Sequence, residues 1–415
     1  MKSESTSNSS IGELIRNKVA RTILLSAIFL QIGIWVRNYS ILLYVMERTN
    51  GNPVAVSLIS LAEFAPIFLF SFIGGTFADR WRPKRTMVWC DFLSAISIFV
   101  VLLTLVFGSW KAIFFATLVS SVLSQFSQPS GMKLFKLHVS EELIPIGMSM
   151  YQTIFALFMI LGPIIGTFVY QQYGIDAAIG IMGVAFLISA AVLLMLPPDY
   201  DSVQEEKTTL WQEMKDGFGY VLKNRSLTLL GGGFAAAGLA LGLTQPLTVF
   251  LVTERLGLAK EHLQWLMAAN GAAMIVGGGI VMTTAKKYAP QHLLMIGMVV
   301  SSAGFLLMGL STELWLTLAA EFLSGLAMPC IQIGINTMIM QNTEAEFIGR
   351  VNGILTPIFM GAVVITMSVA GVLKESFSLV AIYSVAAILF LVGVMITLPL
   401  KQSVSNQENL EKLKI

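Results

Sequence analysis

The chain has 415 residues, of which 55% are hydrophobic and only 12% carry a charge, and its formal net charge is +2. Soluble globular domains carry about 25% charged residues, so this composition excludes an ordinary soluble domain. The small net charge also gives no reason to expect a nucleic-acid partner. The composition is typical of a chain that lies mostly within a lipid bilayer.

Hydrophobic runs long enough to cross a bilayer recur along the whole chain. A transmembrane helix needs about 20 mostly apolar residues. We predict twelve such helices, at residues 22–46, 54–78, 86–107, 111–131, 144–171, 175–196, 226–251, 263–285, 293–311, 314–340, 350–373 and 377–399. The loops on one side of these spans hold 20 Lys and Arg residues, and those on the other side hold 5. Because the positive side faces the cytoplasm, we expect a multi-pass protein of the cell (inner) membrane with both termini cytoplasmic.

A polar stretch at residues 197–225 divides six predicted spans from six. Within it Leu210, Met214 and Phe218 recur at helical spacing, which indicates an amphipathic helix on the cytoplasmic face. We interpret this stretch as a tether between two bundles, with a regulatory site as the alternative. The predicted domains are an N-terminal bundle (1–196), the linker (197–225), a C-terminal bundle (226–400) and a cytoplasmic tail (401–415).

The two halves also resemble each other. The stretch ADRWRPKR (78–85) follows the second span, and AKKYAPQH (285–292) follows the eighth with the same Ala, aromatic and Pro positions. Similarly, SQFSQPS (124–130) and SGLAMPC (324–330) share Ser and Pro. These matches predict an all-α membrane protein with twelve transmembrane helices in two pseudo-repeated six-helix bundles, as in secondary transporters.

The loop after the second span resembles the signature loop of the major facilitator superfamily, GxxxDRxGR[RK]. The matching residues are Gly75, Asp79, Arg80, Lys84 and Arg85, whereas Arg82 and Pro83 depart from the pattern. The resemblance implies the major facilitator fold and a gating role for charge pairs at this loop. Simple anchoring by positive charge at the cytoplasmic interface is the alternative. We expect Asp91, in span three, to pair with the loop near Arg85.

Further stretches resemble the same superfamily. LGPIIG in span five matches its antiporter motif, GxxxGPxxGG, at Gly162, Pro163 and Gly166, and differs at Phe158 and Thr167. A plain helix kink is the alternative reading of this motif. The stretches at 212–224 and 346–359 resemble the macrolide-efflux and enterobactin-exporter branch. That resemblance implies an inner-membrane exporter driven by an ion gradient.

Two opposite charges are predicted at similar depth in spans one and two. At about 1.5 Å per residue, Arg37 and Glu63 lie roughly 22 and 24 Å from the cytoplasmic side of the membrane. Charges at such depth are costly and mark functional sites by default, and pairing would offset the cost. The pair is either a static bridge, or a switch in which Glu63 takes up a proton and releases Arg37. In a third reading, Arg37 binds an anionic group of the substrate.

Span ten carries another carboxylate, Glu321, with no obvious partner in the sequence. We interpret it as a second proton-coupling candidate. Alternatively it binds a cationic drug, or it lies at a water-filled outer mouth with no special role.

In the superfamily that the sequence resembles, spans one, four, seven and ten line a central cavity. The polar residues of those spans are Gln31, Asn38, Tyr39, Gln125, Gln128, Thr244, Gln245, Gln332 and Asn336. Uncharged polar groups among Met and aromatic residues form an adaptable amphipathic pocket. Hydrogen bonding between helices is the alternative role for any one of them.

Several classes of chemistry have no signature here. The sequence contains no GxxxxGK[ST] motif and no HExxH motif, and its three histidines fall in separate loops. We therefore expect no enzyme, no cofactor and no metal site.

The sequence predicts a proton-coupled antiporter that exports amphipathic small molecules by alternating access. The expected partners are a small-molecule substrate, protons or another coupling ion, and the lipid bilayer; we expect a monomer. Alternatives are a dedicated siderophore or antibiotic exporter, a lysophospholipid transporter, and a non-transporting sensor or enzyme.

Overall fold

Long helices account for almost all of the secondary structure in the computed structural model, which describes residues 12–14, 16–105, 111–198, 210–284, 287–344 and 347–400. We number them α1 (Lys18–Arg48), α2 (Pro53–Arg80), α3 (Pro83–Leu105), α4 (Lys111–His138), α5 (Ile144–Leu194), α6 (Leu210–Lys223), α7 (Arg225–Thr244), α8 (Leu263–Thr284), α9 (Pro290–Leu310), α10 (Leu314–Asn342), α11 (Ile348–Ser376) and α12 (Leu379–Thr397). Short helical turns at residues 245–255 and 260–262 connect α7 to α8. The described part of the chain contains no strand.

Short polar side chains cap the helices that open each half. The Asn17 side-chain oxygen accepts hydrogen bonds from the backbone amides of Val19 and Ala20, at 2.9 and 3.1 Å. Asn224 does the same for Ser226 and Leu227 at the start of α7. Asn is a preferred N-cap residue because its side chain satisfies amides that have no partner within the helix.

Helix α5 is a hairpin of two helices that meet at Gly174. This residue has φ 74° and ψ −177°, a backbone conformation that glycine adopts without strain. Val169 and Ala178, on opposite sides of Gly174, both pack against Val36 of α1. The chain therefore folds back at this residue, and the 51 residues of α5 contain two spans. The sequence predicts the same two spans, at 144–171 and 175–196.

Ten helices in the described residues are long and apolar enough to cross a membrane. The hairpin α5 counts once among them although it contains two spans. Helix α4 is absent from the ten, but its 28 residues would extend about 42 Å, beyond the roughly 30 Å of hydrocarbon. Its many Ser and Gln residues lower its hydropathy. Counting both, the helices provide the twelve spans expected from the sequence.

The chain divides into two compact units. Unit 1 comprises residues 1–51 and 62–206, and unit 2 comprises residues 52–61 and 207–415. The linker helix α6 packs within unit 2, where the Tyr220 ring stacks on Phe347 with centroids 4.4 Å apart. The Tyr220 hydroxyl also accepts a hydrogen bond from the backbone amide of Glu344. The amphipathic helix predicted in the linker is thus held against the segment between α10 and α11.

Candidate functional site

A chain of hydrogen bonds links polar side chains of three helices inside unit 1. The Asn38 amide nitrogen of α1 donates to Glu63 Oε1 of α2 at 2.5 Å. The Asn38 amide oxygen accepts from Nε of Arg37 at 2.9 Å. Nη1 of Arg37 in turn donates to the Ser120 hydroxyl of α4 at 2.7 Å. Arg37 and Ser120 are buried, and Asn38 and Glu63 are partly buried.

Arg37 and Glu63, expected to be neighbours, are joined through Asn38 rather than by a direct salt bridge. Each end of the Asn38 amide satisfies one charged group, because its oxygen accepts and its nitrogen donates. Hydrogen bonds to charged groups are stronger than neutral ones and offset part of the cost of burial. Asn38 was assigned to the cavity by sequence reasoning, and Ser120 was not singled out.

Asp91 has different partners from those that the sequence suggested. Its carboxylate accepts hydrogen bonds from the hydroxyls of Ser127 in α4, at 3.4 Å, and Ser189 in α5, at 2.6 Å. Among the described residues, no ion pair or hydrogen bond joins Asp91 to Arg85. Asp91 and Arg85 are six positions apart on α3, so their side chains leave the helix about 120° apart. The side chains of residues 71–80 of the signature loop lie outside the described residues, so pairing of Asp91 with that loop stays a prediction. Asp91 is buried, whereas Arg85 is exposed.

The signature loop is described only in part. The side chains of Gly75, Asp79 and Arg80 lie outside the described residues. Lys84, at the start of α3, donates from Nζ to the backbone oxygen of Leu196 at 2.5 Å. This bond ties the loop after the second span to the end of the sixth span within unit 1.

The glycines of the antiporter-like motif bring α5 close to α1. A Cβ atom added at Gly162 would lie 2.3 Å from the Trp35 ring. One added at Gly166 would lie 2.8 Å from the backbone oxygen of Trp35. Both distances are too short for any residue larger than glycine. The motif, which also contains Pro163, therefore serves close helix packing beside Arg37.

Glu321 has a partner that sequence reasoning did not find. Asn270 of α8 donates from its amide nitrogen to Glu321 Oε1 at 3.2 Å, within unit 2. Glu321 is 7% exposed. In the sequence, Asn270 is the one amide side chain in the otherwise apolar stretch MAANGAAM, and this could have indicated a polar partner for Glu321.

The predicted cavity residues differ in exposure. Gln31, Tyr39 and Thr244 are buried, and Thr244 donates to Ala240 O of its own helix at 3.1 Å. Gln125 is partly buried. The exposed members are Gln128, Gln245, Gln332 and Asn336. Among them Gln332 and Asn336 are four residues apart and share one face of α10.

No group of three His, Cys, Asp or Glu side chains among the described residues could hold a metal ion.

Solved structures with this fold are membrane transporters. The nucleoside transporter NupG has a TM-score of 0.74 at 14% sequence identity, covering 92% of this chain and 98% of NupG. A POT family transporter in complex with a thioalcohol-conjugated peptide has a TM-score of 0.73 at 11% identity, covering 93% and 96% of the two chains. These likenesses show the fold of the chain, a multi-pass bundle of membrane-spanning helices.

The chain belongs to the major facilitator superfamily, whose model matches residues 23–258 and 230–413. Because this family consists of transporters, the chain is not an enzyme. The resemblance predicted from the signature loop is confirmed, as is the all-helical fold class.

Bacterial relatives cover most of the chain. YkuC of Bacillus subtilis, called an uncharacterized MFS-type transporter, is 25% identical over 88% of this chain and 87% of its own length. Macrolide efflux protein A of Streptococcus pyogenes is 21% identical, over 75% and 78%. The multi-drug resistance efflux pump PmrA of Streptococcus pneumoniae is 26% identical, over 72% and 73%.

Proposed function

We propose that this protein is a proton-coupled antiporter that exports amphipathic small molecules across the cell membrane by alternating access. The observation that carries the proposal is the hydrogen-bond chain from Glu63 through Asn38 and Arg37 to Ser120. A carboxylate can take up and release a proton, and one within a membrane-spanning helix is retained mainly for function. Similarity to a macrolide efflux protein and to a multi-drug resistance efflux pump supports export.

Proton uptake at Glu63 changes which hydrogen bonds the Asn38 amide can make. With a charged carboxylate, the amide nitrogen faces Glu63 and the amide oxygen faces Arg37. A protonated Glu63 carries a hydroxyl that donates, so it competes for the amide oxygen. If the Asn38 amide rotates so that its oxygen accepts from protonated Glu63, its nitrogen faces Nε of Arg37. Both of these nitrogens are donors, so the hydrogen bond between Asn38 and Arg37 is lost. Protonation thereby frees Arg37 and shifts the balance between conformational states.

Within unit 2, the exposed polar side chains of α10 are proposed to contact the amphipathic substrate. Gln332 and Asn336 offer uncharged hydrogen-bonding groups there. Such groups accept varied ligands without requiring one substrate charge.

The test is proton flux in energised inverted vesicles, followed with a pH-sensitive dye as cationic, neutral and anionic amphiphiles are added. Native protein should release protons on addition of a substrate, and Glu63→Gln should abolish this release while retaining substrate binding. Glu63→Asp keeps a carboxylate and should retain part of the coupling. Loss of coupling in Glu321→Gln, with coupling intact in Glu63→Gln, would instead place proton entry at α10 and overturn the role given to Glu63.

A further inference from the structure

Asp91 lies among oxygen atoms supplied by four helical segments of unit 1. Oδ2 of Asp91 is 2.6 Å from Oγ of Ser189, and Oδ1 is 3.4 Å from Oγ of Ser127. Oγ of Ser189 is also 3.3 Å from the backbone oxygen of Ser26 in α1. Asp91, Ser127 and Ser189 are each at most 3% exposed. None of these residues belongs to the chain around Glu63.

Two of the three distances are long for hydrogen bonds between oxygens. Such bonds span about 2.5–3.0 Å, whereas Ser127 to Asp91 and Ser189 to Ser26 measure 3.4 and 3.3 Å. Hard cations of the size of Ca²⁺, among them Na⁺, bind oxygens at about 2.4 Å. Adjacent ligands of a six-coordinate cation are then about 3.4 Å apart, as the oxygens of the two long pairs are, whereas the 2.6 Å between Asp91 and Ser189 is the distance of a hydrogen bond.

Ser189 also has more acceptors than hydrogens. Its hydroxyl carries one hydrogen, yet both Oδ2 of Asp91 and the backbone oxygen of Ser26 lie within reach. One of these two oxygen pairs therefore lacks a hydrogen between its members. A cation bound by these oxygens would take the place of the missing hydrogen in that pair.

The charge of the site matches a single monovalent cation. Within the described residues, no Lys or Arg nitrogen lies within 4.0 Å of Asp91. The titratable groups that face it are the Cys90 thiol beside it and the Tyr151 hydroxyl of α5. One carboxylate in a buried setting balances one positive charge, whereas a divalent ion would leave a net charge there.

We propose that Asp91, Ser127, Ser189 and the backbone oxygen of Ser26 form a Na⁺-binding site within unit 1. The bound ion neutralises Asp91 and holds α1, α3, α4 and the second half of α5 together. Ligands of this type, a carboxylate, hydroxyls and a helix carbonyl, are those that hard cations prefer.

The experiment measures thermal unfolding of the purified full chain in detergent, in NaCl and in choline chloride at equal concentration. Native protein should unfold about 2–4 °C higher in NaCl, with saturation as NaCl is raised. Asp91→Asn should abolish the difference, and Ser189→Ala should shift saturation to higher NaCl. Ser302→Ala is the matched control: it removes a buried serine that also donates to a backbone carbonyl, in unit 2, and should leave the response to Na⁺ unchanged.

Binding of radioactive sodium to native protein and to Ser127→Ala gives a second readout, which does not require Asp91→Asn to fold. Native protein should bind sodium, and Ser127→Ala should bind it more weakly. Equal unfolding temperatures in the two salts and no sodium binding would overturn the proposal and leave Asp91 as an acid held by serines alone. Sodium binding that persists in Asp91→Asn would overturn it as well.

Discussion

At the scale of residues, the depth of charged groups is easier to predict than their partners. A rise of 1.5 Å per residue places Arg37 and Glu63 at one level of the bundle, and the structure brings them to the two ends of one amide. Asn38 could not be assigned as the link, because side-chain direction depends on how α1 is rotated about its axis. The same reason explains why Asn270 was not predicted beside Glu321.

Neighbouring serines test the contribution of the hydrogen-bond chain. Ser120→Ala removes the acceptor of Arg37 Nη1 and leaves a buried guanidinium donor without a partner. We expect a loss of about 1–3 kcal/mol in the free energy of unfolding. Thermal unfolding in detergent measures this loss.

Ser121→Ala is the control for that substitution. Ser121 is about equally buried, but its hydroxyl has no hydrogen-bond partner among the residues that the structure describes. Its replacement should change stability by less than about 0.5 kcal/mol. If both variants are equally stable, the hydroxyl of Ser120 does not support Arg37.

At the scale of elements, glycines decide which helix surfaces approach. The sequence motif around Gly162 and Gly166 contains small residues, which permit close contact between helices in lipid. It does not indicate the partner, which the structure shows to be α1. The break between spans five and six could be predicted from the turn residue Gly174, whereas the absence of a loop there could not.

Two glycines of α5 provide a matched test of this packing. Gly166→Ala would place a methyl group 2.8 Å from the backbone oxygen of Trp35, which cannot move aside as a side chain could. We expect a loss of about 1–3 kcal/mol in stability and impaired transport, since the displaced segment of α1 is close to Arg37.

Gly180→Ala, in the second half of α5, adds a methyl group with no atom within 4 Å. Here alanine should stabilise the helix by about 0.5–1 kcal/mol, because it loses less backbone entropy than glycine on folding. Unfolding temperatures of the two variants should therefore move in opposite directions. A decrease of similar size in both would exclude a specific contact at Gly166.

At the scale of the whole molecule, hydropathy and loop charge are sufficient to predict twelve spans and their orientation, because the bilayer permits few alternatives to membrane-spanning helices. The boundary between the compact units was less predictable. Residues 52–61, which include the start of α2, are grouped with unit 2, whereas the predicted N-terminal bundle comprises residues 1–196. Hydrophobicity gives the positions of spans along the chain but carries no information about which spans contact each other.

The membrane potential tests the proposed coupling in the assembled protein. One proton crossing about 100 mV releases about 2.3 kcal/mol, enough for about a 45-fold gradient of an uncharged substrate at 1:1 exchange. Halving the potential should reduce the gradient to about sevenfold. The measurement is steady-state substrate accumulation in vesicles with an imposed potential.

In the same vesicles, Glu63→Gln should equilibrate the substrate without accumulating it at either potential. Native protein with a protonophore should behave in the same way. Substrate accumulation by the native protein that does not depend on the membrane potential would rule out electrogenic exchange with a proton.

Gly174 also constrains how the protein is made. The two halves of α5 are joined by one residue in a turn, with no intervening loop, and both pack on α1. During synthesis, the first half of α5 is therefore followed by no loop that could remain on the far side of the membrane before the second half emerges. We expect the two segments to insert as a pair, so that a nascent chain ending before Gly174 is held at the translocation machinery.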